Sequence, residues 1–173
     1  MYKMIPSITT QNFKTRFSIT ILVIGGKHLS AEKQTYSVSV ETFDTITSYR
    51  RNQTPPLNWD CLFVIPEWLN AWRQSFGLDS ELFIRSIYEE GEMIGIAPLR
   101  VRGDEAYFIG DIEVCDYQDF IIVSGKETTF FGCLLDYLIR HKTISRPHLQ
   151  ALRPDSSVMT HLIAAAIRFS RSV

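Results

Sequence analysis

The segment from Asp116 to Asp119 holds the residue types in this sequence that most clearly suggest chemistry. It opens a nearly all-apolar run that ends at Val123, which predicts a strand in the middle of a sheet, and ligands of α/β proteins gather at the ends of such strands. The carboxylate of Asp116 or Asp119 could act there as a general base toward an amine or hydroxyl, or hydrogen-bond a sugar beside Tyr117. The alternative is structural: the two aspartates stabilise a tight turn and Tyr117 fills the edge of the core.

Two tryptophans four residues apart form a second candidate for substrate binding. Trp68 and Trp72 lie on one stripe of a predicted helix, and either ring could stack on a sugar. Aromatic residues on the stripe of an amphipathic helix also commonly belong to the core. The sequence favours the core interpretation and keeps sugar stacking as its alternative.

The dipeptide Gly125-Lys126 stands directly before a predicted helix that begins at Glu127. Because unpaired amides and a positive dipole end attract anions to a helix N-terminus, these two residues are the candidate cofactor-binding position. The glycine pattern of a P-loop is absent, and the carboxylate of Glu127 would oppose a phosphate. An ordinary strand-to-helix turn is therefore favoured over anion binding.

The cysteines and histidines predict no metal site. Cys61, Cys115 and Cys133 are far apart and odd in number, and none of the four histidines stands at metal-ligand spacing from them. Three reduced thiols are typical of a cytoplasmic protein. A nucleophilic cysteine is the alternative.

The net charge and the hydropathy of the sequence argue against nucleic acid and membranes as partners. The formal net charge of −1 gives no general attraction for nucleic acid or for an anionic membrane. The longest apolar run near the N-terminus, residues 19–24, is much shorter than the roughly 20 residues that span a bilayer. Arg50 and Arg51 are interpreted as solvated surface.

The pattern of the chain predicts a leader, residues 1–34, followed by one domain, residues 35–173. The leader is rich in Ser, Thr, Lys and Gln and is either disordered or an extra strand. The strands predicted after it are Tyr36–Val40, Glu81–Tyr88, Met93–Val101, Ala106–Ile109, Gln118–Val123 and Pro147–Leu152. The predicted helices are Glu41–Arg51, Pro66–Phe76, Glu127–Arg140 and a last one from Asp155 or Ser156 to Phe169. This order predicts an α/β (α+β) fold with a mixed, mostly antiparallel central sheet and helices on both faces.

Three segments, in order, resemble a known family. Pro66–Trp72 (PEWLNAW), Ile94–Leu99 (IGIAPL) and Asp116–Ile122 (DYQDFII) are similar to the signature segments of the CelD/BcsL-type acetyltransferases. These proteins belong to the GNAT superfamily, are related to the FemABX enzymes, and are associated with cellulose and exopolysaccharide production. One departure is Ile65, where the family commonly has a serine that caps the helix, a contact worth about 1 kcal/mol.

The resemblance implies a GNAT-like fold and acyl transfer from acetyl-CoA or another acyl-CoA to a sugar or amine. Family members usually contain two GNAT-like halves, and this chain matches the first. The Gln/Arg-x-x-Gly-x-Gly/Ala loop that grips CoA in GNAT enzymes is missing before Glu127. We therefore expect this half to serve acceptor binding or architecture, to be inactive alone, and to pair with a second GNAT-like domain or with itself. The alternatives are a non-catalytic GNAT-like interaction module that docks a partner domain, and a single-domain GNAT enzyme with an atypical CoA loop.

Overall fold

The computed structural model describes residues 3–11, 16–24, 36–141 and 144–171. Within these ranges eight strands form one sheet, and four α-helices pack against it. The strands are β1 (Lys3–Gln11), β2 (Arg16–Ile24), β3 (Tyr36–Val40), β4 (Glu81–Glu89), β5 (Glu92–Arg102), β6 (Glu105–Phe108), β7 (Ile121–Ile122) and β8 (Arg146–Leu152). The helices are α1 (Phe43–Asn52), α2 (Pro66–Phe76), α3 (Glu127–His141) and α4 (Ile163–Arg171). A 3-10 turn, Leu62–Val64, precedes α2, and a π-helical turn, Val158–Leu162, leads into α4.

The strand order is β1-β2-β8-β6-β5-β4-β3, with β7 also pairing with β5. Every pair is antiparallel except β6 and β8, which run parallel where Glu105 meets Arg146. The predicted fold class, a mixed and mostly antiparallel sheet, is confirmed.

Helices cover both faces of the sheet. Successive residues of a strand point to opposite sides, so one strand contacts the helices on both faces. Phe83 and Ile87 of β4 face the cluster that holds Phe130 of α3. Ile84, between them, faces the other cluster, which includes Leu69 of α2. The prediction of helices on both faces is therefore confirmed.

The segment interpreted as a leader contains two of the strands. β1 and β2 pair with each other, and β2 pairs with β8 through Ile19 opposite Leu149. Ile19 and Ile21 are 0% and 1% exposed and belong to the α3 side of the core. The rest of that segment, residues 1–2, 12–15 and 25–34, lies outside the described residues.

One predicted strand is much shorter than expected. The apolar run Gln118–Val123 forms a ladder only at Ile121 and Ile122, which pair with Ile96 and Gly95 of β5. Phe108 of β6 pairs with Leu99 of the same strand, so β6 and β7 lie in succession along one edge of β5. The candidate residues therefore lie in the loop between β6 and β7, residues 109–120, and not in a strand near the middle of the sheet.

Candidate functional site

Gln118 fixes the return of the 109–120 loop toward the sheet. Its backbone N–H donates to the carbonyl of Ala151 in β8 (2.8 Å), and its side-chain amide donates to the carbonyl of Ile109 (3.2 Å). These bonds replace the ladder that the apolar pattern predicts, which explains why β7 begins three residues later. A methyl group on Gly110 would lie 2.1 Å from the Gln118 amide nitrogen, so only glycine leaves room for this contact.

Asp119 is bound to the first turn of the C-terminal helix. Its carboxylate accepts the backbone N–H of Ser157 (2.7 Å) and the Ser157 hydroxyl, and it also accepts the N–H of Phe120 (2.9 Å). Ser156, beside it, accepts the N–H of Met159 (3.3 Å). The side chains of Asp119 and Ser156 thus accept hydrogen bonds from backbone N–H groups at the helix start, which have no hydrogen-bond partner within the helix.

The pKa of the Asp119 carboxyl is raised above its ordinary value because burial disfavours the charged form. Hydrogen bonds from Ser157 and from the N–H of Phe120 lower the same pKa but do not outweigh burial. A carboxylate with a raised pKa accepts a proton more readily, as a general base must. The same oxygens are already engaged by the start of the C-terminal helix, so the geometry gives Asp119 a structural role, and the raised pKa is the property it shares with a general base.

The predicted substrate residues Tyr117 and Trp68 both contact the ring of Phe63. Phe63 makes edge-to-face contacts with Trp68 (centroids 5.1 Å apart) and with Tyr117 (5.3 Å). Arg153, just beyond β8, places its guanidinium 4.7 Å from the centre of the Tyr117 ring. Segments distant in sequence therefore meet in one aromatic and cationic group, which we call the Tyr117 cluster: Phe63, Trp68, Tyr117 and Arg153.

A small pocket of about 60 Å³ opens beside the Tyr117 cluster. Its lining includes Asp60, Cys61, Tyr117, Asp119 and Arg153. The volume suits a couple of water molecules and is far below the roughly 300–1,000 Å³ of a small-molecule site. Of the two predicted catalytic residues, Asp119 lines the pocket, whereas Asp116 is exposed on the same loop and does not.

Trp72 lies apart from this pocket and belongs to the core. It is 5% exposed, and its indole N–H donates to Asp111 (3.1 Å). Asp111 also accepts the N–H groups of Glu113 and Val114 through its other oxygen. The ring is therefore held by the base of the 109–120 loop, and the core interpretation describes this residue better than sugar stacking.

The residues at the N-terminus of α3 do not fit the pyrophosphate of an acyl-CoA. The carboxylate of Glu127 accepts the Gly125 N–H (3.2 Å), which occupies an amide that a phosphate would need. The Lys126 N–H donates to the Val123 carbonyl (3.0 Å), and the Lys126 ammonium is paired with Glu89 at 2.9 Å. The hydrogen bond and charge of Glu89 raise the pKa of Lys126. Gly125 and Lys126 thus form a capped, neutralised strand-to-helix turn.

The three cysteines are free, and burial raises the pKa of each thiol. The pKa values of Cys61 and Cys133 rise to about 11, so neither carries an appreciable thiolate fraction near neutral pH. In the described ranges no group of three or more His, Cys, Asp or Glu side chains is placed to hold a metal ion.

No helix in the described part of the chain is both long and apolar enough to cross a membrane. The sequence matches no protein-family model and no curated protein sequence.

Sequence reasoning missed three members of the site: Phe63, Arg153 and Ser157. Phe63 lies in a short apolar segment that gives no periodic signal, and Arg153 is one basic residue after a strand. Ser157 could have been found as a residue of the helix start. Its partner, Asp119, is 38 positions away, and no local pattern connects them.

Proposed function

We propose that this chain is the N-terminal GNAT-like half of a CelD/BcsL-type acyltransferase linked to polysaccharide or cell-envelope biosynthesis. In this proposal the half serves acceptor binding or architecture, and the acyl-CoA is bound by a second GNAT-like domain. One observation supports the assignment of acyl-CoA binding to the second domain. The Glu127 carboxylate accepts the Gly125 N–H, and the neighbouring Lys126 is already paired with Glu89. The proposed family rests on the resemblance of the three sequence segments to the signature segments of the CelD/BcsL-type acetyltransferases.

The acceptor side of the proposal is supported by the surroundings of Asp119. A carboxyl group whose pKa is raised lines a pocket beside an aromatic ring and an arginine. A carboxylate can give general-base assistance to an amine or hydroxyl that comes within hydrogen-bond reach, and the pocket gives Asp119 an opening for such a group. A cytoplasmic location is part of the same proposal and is supported by three free thiols.

Acyl transfer provides the test. The chain alone, given acetyl-CoA and amine or sugar acceptors, should release no CoA thiol above background. With the second half of a CelD/BcsL-type protein supplied, release should begin. Asp119→Asn should then lower kcat and leave the KM for acetyl-CoA unchanged. Turnover by the chain alone, or full turnover by both Asp119→Asn and Asp116→Asn, would contradict the proposal.

A second candidate function is a non-catalytic module that docks a partner domain. It is favoured by Phe76 and Leu78, which are 61% and 76% exposed at the C-terminal end of α2. Contiguous exposed apolar patches mark interfaces, and these two exposed side chains are only two positions apart in the sequence. Sedimentation that depends on concentration and is abolished by Phe76→Ser with Leu78→Ser would support this function. Monomeric sedimentation at all concentrations would count against self-docking through these residues.

A further inference from the structure

A cleft of about 720 Å³ lies where α1, α2 and the loop of residues 53–60 meet. Its volume falls within the roughly 300–1,000 Å³ that small-molecule sites occupy. Asp60 lines both this cleft and the small pocket beside the Tyr117 cluster, so the two are neighbours. The residues of the cleft that bear on its chemistry are Arg50, Arg51, Gln53, Trp59, Asp60 and Glu67.

The wall that carries Trp59 and Asp60 is fixed to the sheet. Leu57 forms a bridge with Val123, and the Asn58 N–H donates to the carbonyl of Ile122 (3.1 Å). The Asn58 side chain then accepts the Asp60 N–H (2.9 Å). Trp59, between these two anchored residues, also packs against the α1/α2 side of the core. A site held in this way loses little conformational entropy when a ligand binds.

The charges of the cleft balance. Arg50 donates through one nitrogen to both carboxylate oxygens of Glu67, at 3.1 and 3.0 Å. Arg51 and Asp60 add one cation and one anion, and within the described ranges neither is part of an ion pair. An anionic ligand would meet two carboxylates and a cationic ligand two guanidinium groups. A neutral ligand avoids both repulsions and can still use every hydrogen-bonding group.

The ligand must also both donate and accept hydrogen bonds. Arginine only donates and an ionised carboxylate only accepts, so hydroxyl groups, which do both, complement Arg51 and Asp60 together. The indole nitrogen of Trp59 is buried with no hydrogen-bond partner among the described residues, and leaving a buried donor unpaired carries a free-energy cost. An acceptor oxygen reaching it after a small movement of the ring would recover part of that cost. Trp59 lines the cleft and is partly exposed, so its ring can offer an apolar surface to the C–H groups of a pyranose.

We propose that this cleft binds a neutral sugar unit, with Trp59 as the platform and Arg51 and Asp60 as the hydrogen-bonding pair. This assignment rests on the proposed function, since it places the acceptor of that reaction in a specific cleft. It differs from the Tyr117 cluster, where the sequence placed substrate binding.

Chemical-shift mapping on the ¹⁵N-labelled chain tests the assignment, with cellotetraose and chitotriose as neutral probes and inorganic phosphate as the anionic probe. Backbone amides of Arg51, Trp59 and Asp60 should shift saturably with a sugar and not with phosphate. Arg51→Ala and Asp60→Asn should each weaken binding about tenfold, as expected for loss of a hydrogen bond to a charged group. Both residues are exposed, so the variants should fold even if Trp59→Ala does not. Arg102→Ala, an exposed arginine at the end of β5 that lines neither pocket, is the matched control and should bind normally, and Arg153→Ala tests the Tyr117 cluster as the competing site.

Each other outcome has a definite meaning. If Arg153→Ala weakens sugar binding and Arg51→Ala does not, the cleft assignment is overturned but the acceptor function stays in place. Shifts with phosphate and none with the sugars would overturn the choice of a neutral ligand. Absence of sugar binding anywhere on the chain would overturn both this assignment and the acceptor-binding role.

Discussion

Asp119 has both a structural role in the site and a property expected of a general base. Its oxygens accept hydrogen bonds from the start of the C-terminal helix, and its pKa is nevertheless raised because burial outweighs those bonds. Lowered and raised pKa values give opposite pH dependences of stability, so the direction of the pKa shift at Asp119 can be measured.

The stability of the wild-type protein relative to Asp119→Asn should decrease as pH rises. An acid whose folded pKa lies above its unfolded value, about 3.9 for aspartate, binds more protons in the folded state between those two values. Its contribution to stability is therefore complete below about pH 3.9 and is lost as pH rises through the folded pKa. Urea unfolding of both proteins across the acid range measures the difference, and a difference that increases with pH would contradict a raised pKa.

At the scale of the element, the 109–120 loop is the feature that local pattern could not predict. The run Gln118–Val123 has the composition of a central strand, but Gln118 bonds to Ala151 and Ile109. Those partners are specified by tertiary structure. In contrast, α2 occupies the residues predicted for it, because Pro66 at the first position and Gly77 after the last are local signals.

Two glycine substitutions should have opposite effects on stability. In Gly110→Ala the new methyl would lie 2.1 Å from the Gln118 amide nitrogen and 2.8 Å from the Cys115 sulfur, so the loop must shift and the protein should lose about 1–3 kcal/mol. In Gly132→Ala, within α3, no atom of the described residues outside the helix lies within 4 Å of the new methyl. That change should add about 0.5–1 kcal/mol through helix propensity. Urea unfolding measures both, and equal effects would show that the loop does not pack on Gly110 as described.

At the scale of the whole molecule, the sheet is completed by strands from opposite ends of the chain. Thr20 of β2 and His148 of β8, 128 positions apart, are hydrogen-bonded across that pairing. The Ser- and Thr-rich composition of residues 1–34 gives no sign of such a partner, since pairing over this distance leaves no local pattern. The fold class could be predicted because alternation and helical periodicity are local. The small pocket and the cleft could not, because each gathers residues from several elements.

Ile19→Ala should destabilise the whole domain if β2 is part of its sheet. Ile19 is fully buried on the α3 side of the core, and loss of such a side chain costs about 2–5 kcal/mol. Leu22 is 37% exposed on the same strand, and Leu22→Ala should cost less than about 1 kcal/mol. The free energy of unfolding from urea titration checks both. An Ile19→Ala protein as stable as the wild type would mean that β1 and β2 are not integral to the fold in solution.

The proposed function requires that this chain bind no acyl-CoA, because Glu127 and Glu89 satisfy the groups at the start of α3 that a phosphate would need. The most direct measurement is the thermal unfolding midpoint of the chain titrated with acetyl-CoA. A ligand at 100 times its Kd adds about 2.7 kcal/mol, which should raise the midpoint of a chain of this size by roughly 5–10 °C. We predict no shift at millimolar acetyl-CoA. A saturable rise that Lys126→Ala abolishes would contradict the proposed function and make this chain a CoA-binding domain.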